Sequence, residues 1–157
     1  MDELVRHPHQ RVGAESNAHV GRDFEEVARR FFADRGVELA RDFAVQAGLE
    51  FTKERKFDLG SLEHRVLVEC KSHRWTEGHR VPSAKITVWN EAMYYFLLAP
   101  AHFQKFLFVL HHRRGGDGES LADYYVRTYG HLIPPGVRIL EWNEDSHTVV
   151  GDDGLAL

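Results

Sequence analysis

Apolar residues along 17–34 recur at helical spacing. Val20, Phe24, Val27 and Phe31 stand at i, i+4, i+7 and i+11, the stripe of an amphipathic helix. Gly36 supplies a C-terminal stop. The periodicity then shortens. Residues 43–47, FAVQA, predict a first strand, and a short polar connection over 50–55 leads to a second. That second strand carries Phe57, Asp58 and Leu59, with Phe57 and Leu59 on one face and Asp58 on the other. Residues 65–72 predict a third strand around the run Val66, Leu67, Val68, as expected for a strand buried on both faces. Residues 73–81 form a polar loop with Trp75 as its anchor to the core. Pro82 and Ser83 open a second helix, with Ser83 as N-cap and Pro100 ending it after residue 99. Its core face is Ile86, Trp89, Ala92, Met93, Phe96 and Leu97.

A buried strand follows over 104–112, then a glycine-rich turn over 113–118 and a third helix over 119–130. The turn is not a P-loop, because the Lys-Ser/Thr ending is missing. Pro134, Pro135 and Gly136 break the chain before a last strand over 137–142, at an edge or after a crossover. Residues 1–16 read as an irregular arm, and 143–157 as an acidic, partly mobile tail. The order is helix, three strands, helix, strand, helix, strand: an α/β domain spanning 1–157, with no internal repeat.

The second and third strands carry the candidate chemistry. Folded as an antiparallel hairpin, they place the midpoint between Asp58 and Glu69 at Glu63 and His64, where Ser61, Glu63 and His64 predict a turn. Asp58 and Glu69 then become near cross-strand neighbours. Glu69 and Lys71, two apart, share one face and Cys70 takes the other. Two carboxylates forced together repel, and their pKa values rise unless a cation sits between them. A hard divalent ion such as Mg²⁺ suits them, with the Cys70 backbone carbonyl offering a third oxygen. Lys71 beside such an ion orients a water or meets developing phosphorane charge.

Composition narrows the classes. The 157 residues, 43% hydrophobic and 28% charged, are ordinary for a soluble globular protein. Cys70 is the one cysteine, so no intramolecular disulfide forms. The polar N-terminus has no secretory signal and no apolar run approaches a membrane span. The expectation is a cytoplasmic protein without a membrane partner. A net charge of −4 argues against a generic nucleic-acid coat protein. Yet residues 53–85 hold eight Lys/Arg against five acids, while 141–157 hold five acids and no Lys or Arg. The positive field surrounds the candidate site, where a phosphate backbone needs it. Eleven histidines show no zinc spacing.

Asp58, ten intervening residues, then Glu69-Cys70-Lys71 resembles the PD-(D/E)XK nuclease superfamily, the restriction-endonuclease-like fold. Phe57 stands where the name-giving proline would be. The resemblance implies an αβββαβ core in a central mixed sheet flanked by helices, covering about residues 17–112. A C-terminal helix and strand are then additions. It implies Asp58 and Glu69 as metal ligands and Lys71 as the catalytic lysine. Helical phase puts Glu25 at the rim of the buried stripe and Glu26 on the solvated side. Several branches of the superfamily draw a glutamate from this helix, and Glu25 matches. The plain alternative is a boundary glutamate paired with Arg22 or Arg29. Asn90 and Tyr94, four apart, approximate a Gln-x-x-x-Tyr pair of some members; a plain amphipathic core helix explains them better.

The reading is a DNA endonuclease using Mg²⁺, with Mn²⁺ as substitute, in restriction, repair or junction processing. Asp58, Glu69 and the Cys70 carbonyl hold one or two ions, and Glu25 assists. Lys56, Arg74, Arg80, Lys85, Asn90 and Tyr94 are candidate nucleic-acid contacts. So small a chain, with no helix-turn-helix or zinc finger, implies a homodimer or a partner subunit. Two alternatives stay open: a nuclease-fold binding module without turnover, and a small α/β interaction protein. DNA against RNA also stays open.

Overall fold

The computed structural model describes residues 12–157, with side chains from residue 19 onward. Helix α1 (Val12–Ala33) is followed by strands β1 (Ala40–Gly48), β2 (Thr52–Ser61) and β3 (Val66–Lys71). Then come α2 (Ser83–Leu98), β4 (Gln104–Leu110), α3 (Leu121–Tyr129), β5 (Val137–Asn143) and β6 (Thr148–Val150). The six strands form one sheet in sequence order. β1–β2 and β2–β3 are antiparallel, β3–β4 and β4–β5 parallel, and β5–β6 antiparallel. Parallel neighbours need crossovers, and α2 and α3 supply them. The chain is therefore an α/β protein with a mixed sheet. Among the described residues, no helix is long and apolar enough to cross a membrane.

The sheet separates two apolar layers. One is packed by α1 through Phe24, Ala28, Phe31 and Phe32. The other is packed by α2 and α3 through Ile86, Trp89, Met93, Phe96, Leu121 and Tyr125. β3 belongs to both: Val66 and Val68 face the α1 layer, Leu67 faces the α2 layer, and all three are fully buried. This is why the run needs no polar alternation. Gly36 ends α1 as expected. It adopts φ 80°, and the N–H groups of Gly36 and Val37 donate to the carbonyls of Ala33 and Phe32 at 2.9 and 3.0 Å.

Several expectations need correction. α1 starts at Val12, so residues 12–16 are helical rather than an irregular arm; residues 1–11 lie outside the described residues. Val20 is exposed, because it lines a cleft with Ser72, Arg74 and Glu144 beyond the strand ends, where the apolar layer stops. Leu97 is exposed too, one 100° step past Phe96 toward solvent. Ser83 is the first helical residue and not the cap. Pro82 holds that place without a side-chain bond, and its carbonyl takes the N–H groups of Lys85 and Ile86. At α3 the cap is Ser120, in a reciprocal box with Asp123. Residues 52–55 are strand rather than connection, so β1 and β2 form a long hairpin. Residues 143–157 are not a loose tail. β6 pairs with β5, Asp152 bonds Arg35 at 2.8 Å, and Leu155 packs on the α1 layer.

The most consequential correction concerns Phe57 and Leu59. They do not share a face: Phe57 stacks on Phe96 in the α2 layer, whereas Leu59 lies in the α1 layer. The opposite strand makes the same switch. Arg41 bonds the α1 glutamates and Phe43 packs in the α2 layer. Pairs Arg41↔Leu59 and Phe43↔Phe57 are kept, while Asp42 and Asp58 between them are unpaired. Asp42 sits at φ 49°, a left-handed conformation that Asp tolerates better than most residues. One irregular pair thus rotates the outer hairpin by half a pleat.

Beyond the switch, Gly60 leaves room for the Phe43 ring, which a Cβ there would overlap. Gly60→Ala is expected to destabilise the protein by about 1–3 kcal/mol, the usual cost of overpacking. The same substitution made in a Phe43→Ala background costs less. Denaturant melts of the four proteins measure this coupling, and additive costs would show that the ring is not the obstacle.

Candidate active site at the β2–β3 hairpin

β3 delivers Glu69 and Lys71 to the C-terminal end of a buried strand. Glu69 is 2% exposed, and both its carboxylate oxygens are engaged. Arg55 Nη2 donates to Oε1 at 3.2 Å, and Lys71 Nζ donates to Oε2 at 3.3 Å. Arg55 comes from β2, its guanidinium stacked 3.9 Å from the ring centre of Tyr95 on α2. These contacts put Glu69, Lys71 and Arg55 together on the α2 side. Cys70 packs against the α1 layer. Burial, then the charge of Asp58, lifts the Glu69 pKa to about 7; Lys71 and Arg55 pull the other way.

Asp58 stands where the β2–β3 ladder opens. The last ladder pair is Leu59↔Val68, and one step further along the same register Asp58 faces Glu69. There the Asp58 carboxylate takes the Cys70 N–H, at 2.8 Å from Oδ2. The turn falls at Glu63 and His64, as the register requires. Asp58 also reaches α1. The Glu25 carboxyl is raised by burial and then by the Asp58 charge, while Arg41, 3.1 Å away, lowers it. Asp58 thus couples electrostatically to an acid on either side. Glu26 shares Arg41 with Glu25 and, half-buried among arginines, is not on the solvated side as expected. Arg29, Arg30 and Arg41 hold it, with the Arg29 bond foremost, and its pKa falls to about 2. Glu25 therefore pairs with Arg41 of β1, not with Arg22 or Arg29. The Cys70 thiol is pushed up by burial and by the surrounding acids, so it offers no thiolate.

The candidate nucleic-acid residues are scattered. Lys56 is exposed on the hairpin face opposite Arg55 and Phe57. Arg74 is exposed and bonds Glu144 at 2.6 Å. Arg80 is exposed in the loop after β3, and Lys85 is exposed in the first turn of α2. Asn90 turns inward and accepts the Tyr125 hydroxyl at 2.9 Å, a bond between α2 and α3. Tyr94 points to solvent, and its neighbour Tyr95 is the one that approaches the site.

Compared with known proteins, this chain matches no family model, no curated protein and no solved structure. Its chemistry is argued from its own geometry.

Asp58, Glu69 and the Cys70 carbonyl are hard oxygen donors of the kind that Mg²⁺ and Mn²⁺ take. Among the described residues, no three His, Cys, Asp or Glu side chains converge to hold a metal ion. The donor set is two acids and a carbonyl, and it suits a hard ion in kind. Arg55 and Lys71 each bond one Glu69 oxygen, so a cation there shares the carboxylate with them or displaces one. Arg55 was not foreseen from the sequence, although it stands two residues before Phe57 and so shares its face. Its Nε is buried without a hydrogen-bond partner.

A carboxyl whose folded pKa is raised holds its proton more tightly in the native state than in the unfolded chain. Stability from this source is complete below the ordinary value of 4.5 and is lost as pH rises through about 7. Glu69→Gln, which mimics the protonated acid, is therefore expected to match wild type near the lower pH and to exceed it above the upper one. Thermal melts of both proteins across that window test this. Wild type gaining on the variant as pH rises would mean that pairing with Arg55 and Lys71 outweighs burial.

Proposed function

We propose that this chain is a metal-dependent nuclease of the PD-(D/E)XK, restriction-endonuclease-like type, hydrolysing DNA phosphodiester bonds. The observation that carries the reading is the meeting of Asp58, Glu69 and Lys71 at one opening of the sheet. There, burial and then the Asp58 charge raise the pKa of Glu69, and Lys71 bonds it at 3.3 Å. The element order α1–β1–β2–β3–α2–β4 supports the same reading, with α3, β5 and β6 as additions.

Asp58, Glu69 and the Cys70 carbonyl would hold Mg²⁺, or Mn²⁺ in its place. When bound, the ion supplies Lewis-acid stabilisation of charge on the phosphoryl oxygens. The protein's own groups do the rest. Glu69 sits in a low-dielectric site, where electrostatic effects are strong. Lys71 places an ammonium group at the carboxylate edge, to hold the attacking water or meet charge on the phosphorane. Glu25 adds a second carboxylate on the α1 side, within the influence of the Asp58 charge. Arg74, Arg80 and Lys85 lie on or near the loop after β3 and offer phosphate contacts. In this reading the protein acts as a homodimer or with a partner subunit.

One observation favours a second reading. Arg55 and Lys71 both pair with Glu69, which suits a nuclease-fold module that binds nucleic acid without turnover.

Cleavage assays with Mg²⁺ and Mn²⁺ on plasmid, branched, single-stranded and RNA substrates decide between the readings. Lys71→Ala is expected to lower the rate by a factor on the order of 10²–10³, as for loss of one preorganised stabiliser, with binding in Ca²⁺ changed much less. Asp58→Ala loses activity through ion affinity and is partly rescued by excess Mn²⁺. Equal cleavage by wild type and Lys71→Ala would point to a contaminant. DNA binding without cleavage of any substrate would favour the binding module.

A further inference from the structure

His73 follows Lys71 by two residues, and the structure places it on the same side of the sheet. Its Nδ1 accepts the indole N–H of Trp89 at 2.8 Å. Trp89 is fully buried in the α2 layer, tilted against Tyr125, so the donor is fixed and always present. An indole nitrogen donates only. The neutral imidazole that accepts from it must therefore carry its own proton on Nε2. Burial, then the charges of Lys71 and Lys85, pushes the His73 pKa down to about 4, which keeps the ring neutral. Among the described residues Nε2 has no hydrogen-bond partner. The ammonium groups of Lys71 and Lys85 stand close enough to act on this ring. The first turn of α2 beside Lys85 holds no acidic residue.

We infer that His73 is a hydrogen-bond donor of the candidate site, locked by Trp89 in the Nε2–H form to bind a phosphate oxygen of the nucleic acid between Lys71 and Lys85. The assignment rests on the nuclease reading for its ligand, but on Trp89 for its chemistry. A donor that is never charged has a distinct use. It directs a phosphate oxygen without adding to the crowd of cations around Glu69. A mobile lysine attracts the same oxygen from many directions, whereas a ring held at its rear nitrogen accepts only one.

The test reads the ring directly. In nitrogen-15 imidazole NMR of the full chain at neutral pH, His73 is expected to show a protonated Nε2 and a bare Nδ1. Titration with inorganic phosphate, and separately with a short DNA duplex in Ca²⁺, shifts the Nε2 signal. His73→Phe keeps the ring's bulk and is expected to weaken duplex binding about tenfold, the loss of one good hydrogen bond. His73→Gln, whose amide reaches the Nε2 position, recovers most of it. A proton on Nδ1, an Nε2 signal indifferent to both probes, or full binding by His73→Phe overturns the inference even if the protein cleaves DNA. A shifted Nε2 signal in a protein that cleaves nothing upholds the phosphate contact and removes the nuclease.

Discussion

The strand ends depend on one carboxylate held out of water. Glu69 sits on β3, paired to β4 on one side and facing the opening of the β2 ladder on the other, and is almost fully buried. An ionised acid in such a place costs several kcal/mol unless it is paired. The surroundings answer that cost in two ways: Arg55 and Lys71 approach its two oxygens, and its pKa climbs. Replacing a buried ion cluster with apolar groups of equal volume is often neutral or stabilising. An acid, a second acid and two cations gathered at this point are therefore poorly explained by stability alone. They resemble a charge arrangement kept for a ligand.

The hairpin shapes that arrangement. Had β2 kept strict alternation, Phe57 would have joined Leu59 against α1, and Arg55 would have turned away from Glu69 and Tyr95. The switch at Asp42 and Asp58 sends Phe57 and Arg55 to the α2 side. It also leaves the Asp58 carboxylate free of a ladder partner on β1, so that it reaches the Cys70 N–H. Packing and chemistry are thus set by the same irregular pair. α1 closes the other side, bringing Glu25 under the influence of Asp58 and fixing it to Arg41.

Much of this was legible in the sequence. Element order follows from periodicity and from breakers such as Gly36 and Pro100. The β2–β3 register follows from symmetry about Glu63 and His64, because a hairpin's turn fixes which residues face each other. The half-pleat switch was not legible, since nothing in the string RDFA or KFDL marks a residue that leaves the ladder. Arg55 was lost with it, and Lys56, one of the candidate contacts, stands on the opposite face of the strand. His73 follows Glu69 and Lys71 in strict alternation. Its role needs Trp89, sixteen residues on, brought alongside by α2. Asn90 shows the converse: its spacing with Tyr94 was visible, but its partner Tyr125 comes from α3.

The β1–β2 hairpin reaches well past β3. Only Leu59, Gly60 and Ser61 of β2 pair with β3, so the backbone of residues 52–57 pairs with β1 alone, and the tip exposes Leu49 and Phe51. Segments with few buried neighbours open locally at a fraction of the global unfolding free energy. Lys71 belongs to the sheet's centre, tied to β4 through the pair with Val109. Arg55 rides on the arm. The two cations of Glu69 are therefore held differently: Lys71 by the centre of the sheet, Arg55 by a strand whose backbone there pairs with β1 alone.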